Sequence, residues 1–243
     1  MKRQFLFSVV SFVMFMAFST CMMAQTTGGG QGTAPENAKA IDLGLPSGTK
    51  WANMNVGATE EGSFGLYFAW GETKGYNGVD ISPELADGRQ FKWDFYKWGN
   101  GPKAFVTKYC TVPKYGTVDN KKVLDKEDDA AAVNWGGSWR MPTLEEANEL
   151  LEYTTWTAEK SDVQSGFRLV SKINGNSIFL PAGGIRNYGQ HQMFTVFGRF
   201  WTSTIDEKHP ESANTLQYSN YEKKPKICII ARFMGQNVRA VTK

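Results

Sequence analysis

LDKEDDAAAVNWGGSWRMPTLEEANELLEY, residues 124–153, reads as two helices held apart by a turn, and the rest of the fold follows from that reading. In the first helix Asp125 is placed to cap, Glu127, Asp128 and Asp129 crowd the positive end of the dipole, and three alanines follow. Gly136 and Gly137 end it. Thr143 and Glu146 then stand in capping-box spacing just ahead of Leu150 and Leu151, which starts the second helix. Pro142 keeps the residue before it extended, so the two helices are separate. Between them Trp135, Trp139 and Arg140 are expected to be structural, packed between helices and sheet with the guanidinium on loop carbonyls or an acidic partner. A ligand role for Arg140 is the alternative.

Outward from this core the text is strand-like. IDLGLPSGTKWANMNVGA (41–58) gives two short runs around the turn former PSG, and FGLYFAWGE (64–72) is a buried aromatic run. Residues 73–123 show little period and read as a long, loop-dominated insertion. Downstream, GFRLVSKINGNSIFLPAGG (166–184) folds back at Asn174-Gly175, a strong short hairpin signal. GRFWTSTI, ANTLQYSN and KICIIARF add three strands, and QNVRAVT supplies a last one. The pattern is α+β: two helices packed on a mainly antiparallel sheet with long loops. Trp-Gly recurs at 70, 98 and 135, but the unequal intervals exclude an internal repeat.

The first 24 residues have the layout of a signal peptide, with Lys2 and Arg3 before a short apolar run and small or polar residues after it. Cys21 offers a rival reading as a lipid-bearing cysteine, although Thr20 before it is a poor match. Residues 25–39 are glycine-rich and are expected to be a flexible linker, leaving 40–243 as one domain. The expected location is therefore the cell surface, the extracellular space or the periplasm, with membrane contact only through an N-terminal lipid. Without Lys2 and Arg3 the basic count falls from 27 to 25, against 24 acidic residues, so a nucleic-acid partner is not indicated. Cys110 and Cys228 are free to pair in such a compartment, and two cysteines leave the fold to its hydrophobic core.

With these elements in place, IDLGLPSGTKWANMNVGA, YFAWGET, YGTVDNKKVLDKEDDAAAVNWGGSWRMPT, GNSIFLPAGG, FWTST and NVRAV resemble, in this order, the Fibrobacter succinogenes major paralogous domain family of exported bacterial proteins. The resemblance spans about residues 40–241. It implies a C-type lectin-like fold, in the subgroup that contains the formylglycine-generating (sulfatase-modifying) enzymes. Those enzymes need cysteines close together late in the chain as copper ligands. Here only Cys228 is late, so a disulfide with Cys110, or two inert thiols, is the expectation, and catalysis is not.

No cofactor is expected. Asp125, Glu127, Asp128 and Asp129 invite a calcium reading, but their spacing does not match an EF-hand and helix capping already accounts for them. His191 and His209 spell no triad or metal set, and Glu145, Glu146 and Glu149 read as a solvated helix face. Three polar-aromatic loops remain: 186–194, 206–214 and 219–226. Arg186, Asn187, Tyr188, His191, Asn214, Tyr218 and Tyr221 are the candidate ligand-binding residues, with the three loops expected on one face. Trp93, Tyr96 and Trp98 make a similar, weaker case. The function expected is a non-catalytic exported module that recognises a glycan or protein; an enzyme of the sulfatase-modifying type and a structural envelope component are the alternatives.

Overall fold

A computed structural model describes residues 32–77, 91–100, 105–160, 165–188, 190–219, 221 and 224–243. The expected signal peptide and residues 25–31 lie outside them. Residues 31–243 form one compact unit, and among the described residues no helix is long and apolar enough to cross a membrane.

The fold is α+β. Strands β1 (Ala40–Ile41) and β2 (Lys50–Asn55) pair antiparallel, and β13 (Arg239–Thr242) joins β2 on its other side, so the two ends of this unit meet in one sheet. A five-stranded sheet has the order β11 (Lys226–Ala231), β10 (Ser212–Ser219), β9 (Phe197–Ile205), β12 (Gln236–Asn237), β3 (Tyr67–Phe68). β4 (Thr154–Lys160), β5 (Ser165–Ser171) and β6 (Ser177–Pro181) form an antiparallel trio, and β7 (Ile185–Asn187) pairs with β8 (Gln190–Gln192) as a small hairpin. The C-terminal strand expected as one unit is thus split between two sheets.

Helix α1 (Ala130–Trp135) is shorter than its sequence suggests, because residues 126–128 take a 3-10 turn first. Its cap is Asp129 rather than Asp125: the Asp129 carboxylate accepts from the Ala132 N–H and also from the Met141 N–H at 2.8 Å, tying the helix start to the turn after it. Helix α2 (Leu144–Tyr153) starts on the expected capping box, with Thr143 accepting from the Glu146 N–H and Glu146 accepting from the Thr143 N–H. The β5–β6 connection does turn at Asn174-Gly175, inside a five-residue loop that Ser171 Oγ holds by accepting from the backbone of Ile173 and Asn174.

Two apolar clusters lie on opposite faces of β9. Successive side chains of a strand alternate sides. Accordingly Trp201 enters the cluster of Trp70, Trp135, Met141 and Val238, while Phe200 enters that of Trp51, Leu169, Leu180 and Tyr218. Each fully covered large side chain contributes about 2–3 kcal/mol.

Among the described residues three arginines are wholly buried and serve as internal cross-links. Arg239 donates to the carbonyls of Ala52 and Phe179 and to Asn55 Oδ1, each at 2.8 Å. Burial pulls its pKa down to about 10, which leaves it cationic at neutral pH. Arg232 donates to the carbonyls of Lys108, Tyr109 and Pro210 and lies 4.6 Å over Trp70. It thereby fastens part of the long insertion to the sheet. Arg186 donates to the Asn77 carbonyl and lies over Tyr67.

Residues 32–39 are docked on the domain, where a flexible linker was expected. Gly32 N–H donates to Val133 O, Ala34 N–H to Trp135 O, and Ala34 and Ala38 lie against the Trp70 cluster. The alanines supply the small apolar surface that lets this segment approach α1.

Candidate functional site

Trp135 and Trp139 meet edge to face at 5.2 Å, and the first is buried. Arg140 forks onto Glu146 at 2.7 and 2.5 Å and donates to Met141 O, while its backbone exchanges hydrogen bonds with Val241. Glu146 is not on a solvated face. It also accepts from Thr49 Oγ1, and against the opposing effect of burial Arg140 and the hydrogen bonds from Thr49 and Thr143 bring its pKa down to about 2. The residues of this turn hold α1, α2 and the β1-β2-β13 sheet together.

The carboxylates of Asp125, Glu127 and Asp128 lie within 4.8 Å of one another. Lys108 reaches Asp125 and Asp128 at 2.7 Å each, Lys97 reaches Asp128 at 2.9 Å and Lys121 reaches Asp125 at 2.5 Å. Three ammonium groups thus stand around the acids, and Lys97 and Lys108 also lie over the Trp98 ring at 4.3 and 5.1 Å. The arrangement clamps the insertion to the start of α1.

Cys110 and Cys228 are free thiols, so of the two expected outcomes, a disulfide or two separate thiols, the structure has the second. Cys110 is buried; its backbone N–H donates to Asp119 and its thiol to Val112 O, and burial raises its pKa. Cys228 sits on β11 opposite Thr215 and donates to Gln217 Oε1. Each thiol is occupied within its own neighbourhood.

Of the seven candidate ligand-binding residues, three are interior. Arg186 and Tyr218 are fully covered, and Tyr218 donates from its hydroxyl to the carbonyls of Leu180 and Pro181. Asn214 is buried and donates to the carbonyls of Thr204 and Ile205, closing the β9–β10 connection. Their loop-like sequence context conceals positions inside strands β7 and β10, and that is why they point into the protein. Tyr96 is likewise buried.

The three loops do not share a face. The 206–211 connection enters β10 at Ser212 and the chain leaves it at Ser219, about 23 Å away at the rise of an extended strand. The β7–β8 hairpin is at the second end, because it leads straight into Phe197, which pairs with Ser219. Tyr221, 83% exposed, is at that end too.

Besides Tyr221, what remains accessible is the hairpin itself. Tyr188 is 60% exposed, Met193 56% and Phe194 50%. Tyr188 lies edge-on to Phe233 at 6.1 Å, and Phe233 to Trp93 at 6.0 Å, which gives a line of half-covered rings beside the hairpin tip. Phe194 stacks on His191 at 4.8 Å. Beneath them His191 Nε2 is 2.7 Å from Gly183 O and 3.0 Å from the Tyr67 hydroxyl, which itself donates to Gly183 O. Burial, with the charge of Arg186 adding to it, lowers the His191 pKa below the ordinary imidazole value.

The backbone here is strained. Tyr188, Met193 and Thr195 have φ of +50°, +58° and +62°, and Phe91, whose carbonyl accepts from the Tyr188 N–H, has +55°. Non-glycine residues in this region cost about 1–2 kcal/mol each. Asn187 pairs with Gln190, so Tyr188 opens a tight turn whose first position favours Asn, Asp or Gly. Neither the core nor the local conformation calls for tyrosine or methionine at 188 and 193. Sequence reading found Tyr188 and His191 but missed Met193, Phe194 and Phe233; the apolar pair after an amide-rich run was the available signal.

Comparison with protein-family models, with curated proteins and with solved structures finds no match for this chain.

Proposed function

We propose that this protein is an exported, non-catalytic binding module of the bacterial cell surface, built on a C-type lectin-like fold, that recognises a glycan or protein through the β7–β8 hairpin and the rings beside it. The observation that carries this reading is the coincidence of strain and exposure. Tyr188 and Met193 occupy left-handed backbone positions, and their side chains are more than half in solvent. Large apolar groups held at a conformational cost and presented outward fit recognition better than stability. The meeting of the first and last strands in one sheet, and the capped helix pair beside it, agree with the lectin-like resemblance.

The sulfatase-modifying alternative has less support. It requires a joint thiol site, whereas Cys110 is buried and bonded to Val112 O, and Cys228 belongs to a β-strand elsewhere in sequence. The test is a screen of the full chain against glycans and surface proteins, with Tyr188→Ala and Phe194→Ala beside it. A partner whose binding falls in both variants supports the reading. Turnover of a substrate, or a partner indifferent to both changes, would reverse it.

A further inference from the structure

The charge pattern around the hairpin narrows the ligand. From residue 173 to residue 198 the only Lys, Arg, Asp or Glu is Arg186, and Arg186 is wholly buried beneath the hairpin. The chain as a whole is 21% charged, so a 26-residue span with one charge, and none on its surface, is a strong local depletion. The remaining ionisable group, His191, is kept neutral by burial and by the guanidinium of Arg186, which shares the inward face of the hairpin with it. What the hairpin offers to solvent is therefore two aromatic rings, a thioether, and the amides of Gln190 and Gln192.

These groups match one chemistry. An amide both donates and accepts, as a sugar hydroxyl does, and Gln190 and Gln192 already engage each other at 3.3 Å, with further donors and acceptors left over. Aromatic rings beside them suit the C–H face of a pyranose, a contact that needs no charge. Phosphate, sulfate, uronate and nucleic-acid ligands need cations, and the hairpin itself presents none to solvent. We propose that the β7–β8 hairpin binds a neutral, extended oligosaccharide, stacked on Tyr188 and Phe194 and held by the amides of Gln190 and Gln192. One ring stands at the hairpin turn and the other past its second strand, which calls for more than one linked sugar. This inference rests on the hairpin being the contact surface of the proposed module.

The experiment presents the full chain to immobilised neutral glucans, mannans and galactans beside uronate- and sulfate-bearing polysaccharides, at low and high salt and with a calcium chelator. Binding to a neutral glycan is expected, strengthening with oligosaccharide length and unchanged by salt or chelator. Tyr188→Ala and Phe194→Ala should each weaken it about ten-fold, with thermal melts confirming that both variants fold. Binding confined to anionic glycans and lost at high salt would overturn the neutral class while leaving the surface in place. So would a polypeptide partner that depends on Tyr188. Failure to bind any glycan overturns this inference, and the absence of any Tyr188-dependent partner overturns both it and the function on which it rests.

Discussion

Tyr188 separates what the fold needs from what the surface needs. Its φ of +50° suits asparagine at the first position of a tight hairpin turn. Tyr188→Asn is therefore expected to stabilise the fold by about 1 kcal/mol, read in chemical denaturation, while weakening ligand binding about ten-fold. A loss of stability would show instead that the Phe233 contact matters more than the strain. Arg239 is the opposite case, a side chain wholly committed to the interior. Arg239→Lys keeps the charge but cannot reach Ala52 O, Phe179 O and Asn55 Oδ1 together, so it should cost about 3 kcal/mol, nearly as much as Arg239→Ala. Sequence offered a clue to this role, an arginine inside the apolar run NVRAV, but not the carbonyls it meets, since these come from strands far away in the chain. The same limitation hid Arg186 and Tyr218: polar or aromatic residues in a loop-like context look alike whether their strand faces in or out.

At the scale of elements, capping chemistry was the most legible feature, because it is local. Thr143 and Glu146 fix the start of α2, and Glu146 then carries the Arg140 pair. Its folded pKa, brought down to about 2 by Arg140, Thr49 and Thr143 against the opposing effect of burial, lies below the ordinary 4.5. A lowered carboxylate contributes stability that is present above pH 4.5 and lost as pH falls toward 2, here about 3 kcal/mol. Glu146→Gln should be less stable than wild type at neutral pH and approach it in that acid window. Asp129, raised by burial to about 6, works in the other sense, but it is common to both proteins and cancels in their difference. The β7–β8 hairpin has its own anchor in Gly184, with φ of +67° and a Cβ position only 2.2 Å from Gln192 O. Gly184→Ala should displace the hairpin, costing at least 2 kcal/mol in denaturation and weakening binding. Strand β4 was not legible: it follows α2 without a turn, and its exposed edge residues Thr155, Thr157 and Glu159 mask any buried period.

On the scale of the molecule, the α+β class was readable from the succession of periods, whereas the division into four sheets, their strand order and the docking between distant segments were not. Residues 32–39 show why. Their composition is that of a tether, yet hydrogen bonds to Val133 and Trp135 and two alanines on the Trp70 cluster bind them to the domain. A protein beginning at residue 40 should accordingly melt several degrees below one beginning at residue 32, by differential scanning calorimetry. The same blindness to tertiary placement made the three late loops look like one surface, although β10 holds two of them at opposite ends. What the whole structure adds is a division of labour, with buried arginines, tryptophans and capped helices fixing a rigid body and a strained hairpin, its one charge turned inward, at one end of it.

The most direct test of that division is amide shift mapping by NMR as the full chain is titrated with a neutral oligosaccharide it retains. The account predicts changes centred on Tyr188, Gln190, Gln192, Met193, Phe194 and Phe233, with the Asp125–Lys108 cluster and the 206–211 connection silent. Changes centred on either of those places, with the hairpin unmoved, would contradict it.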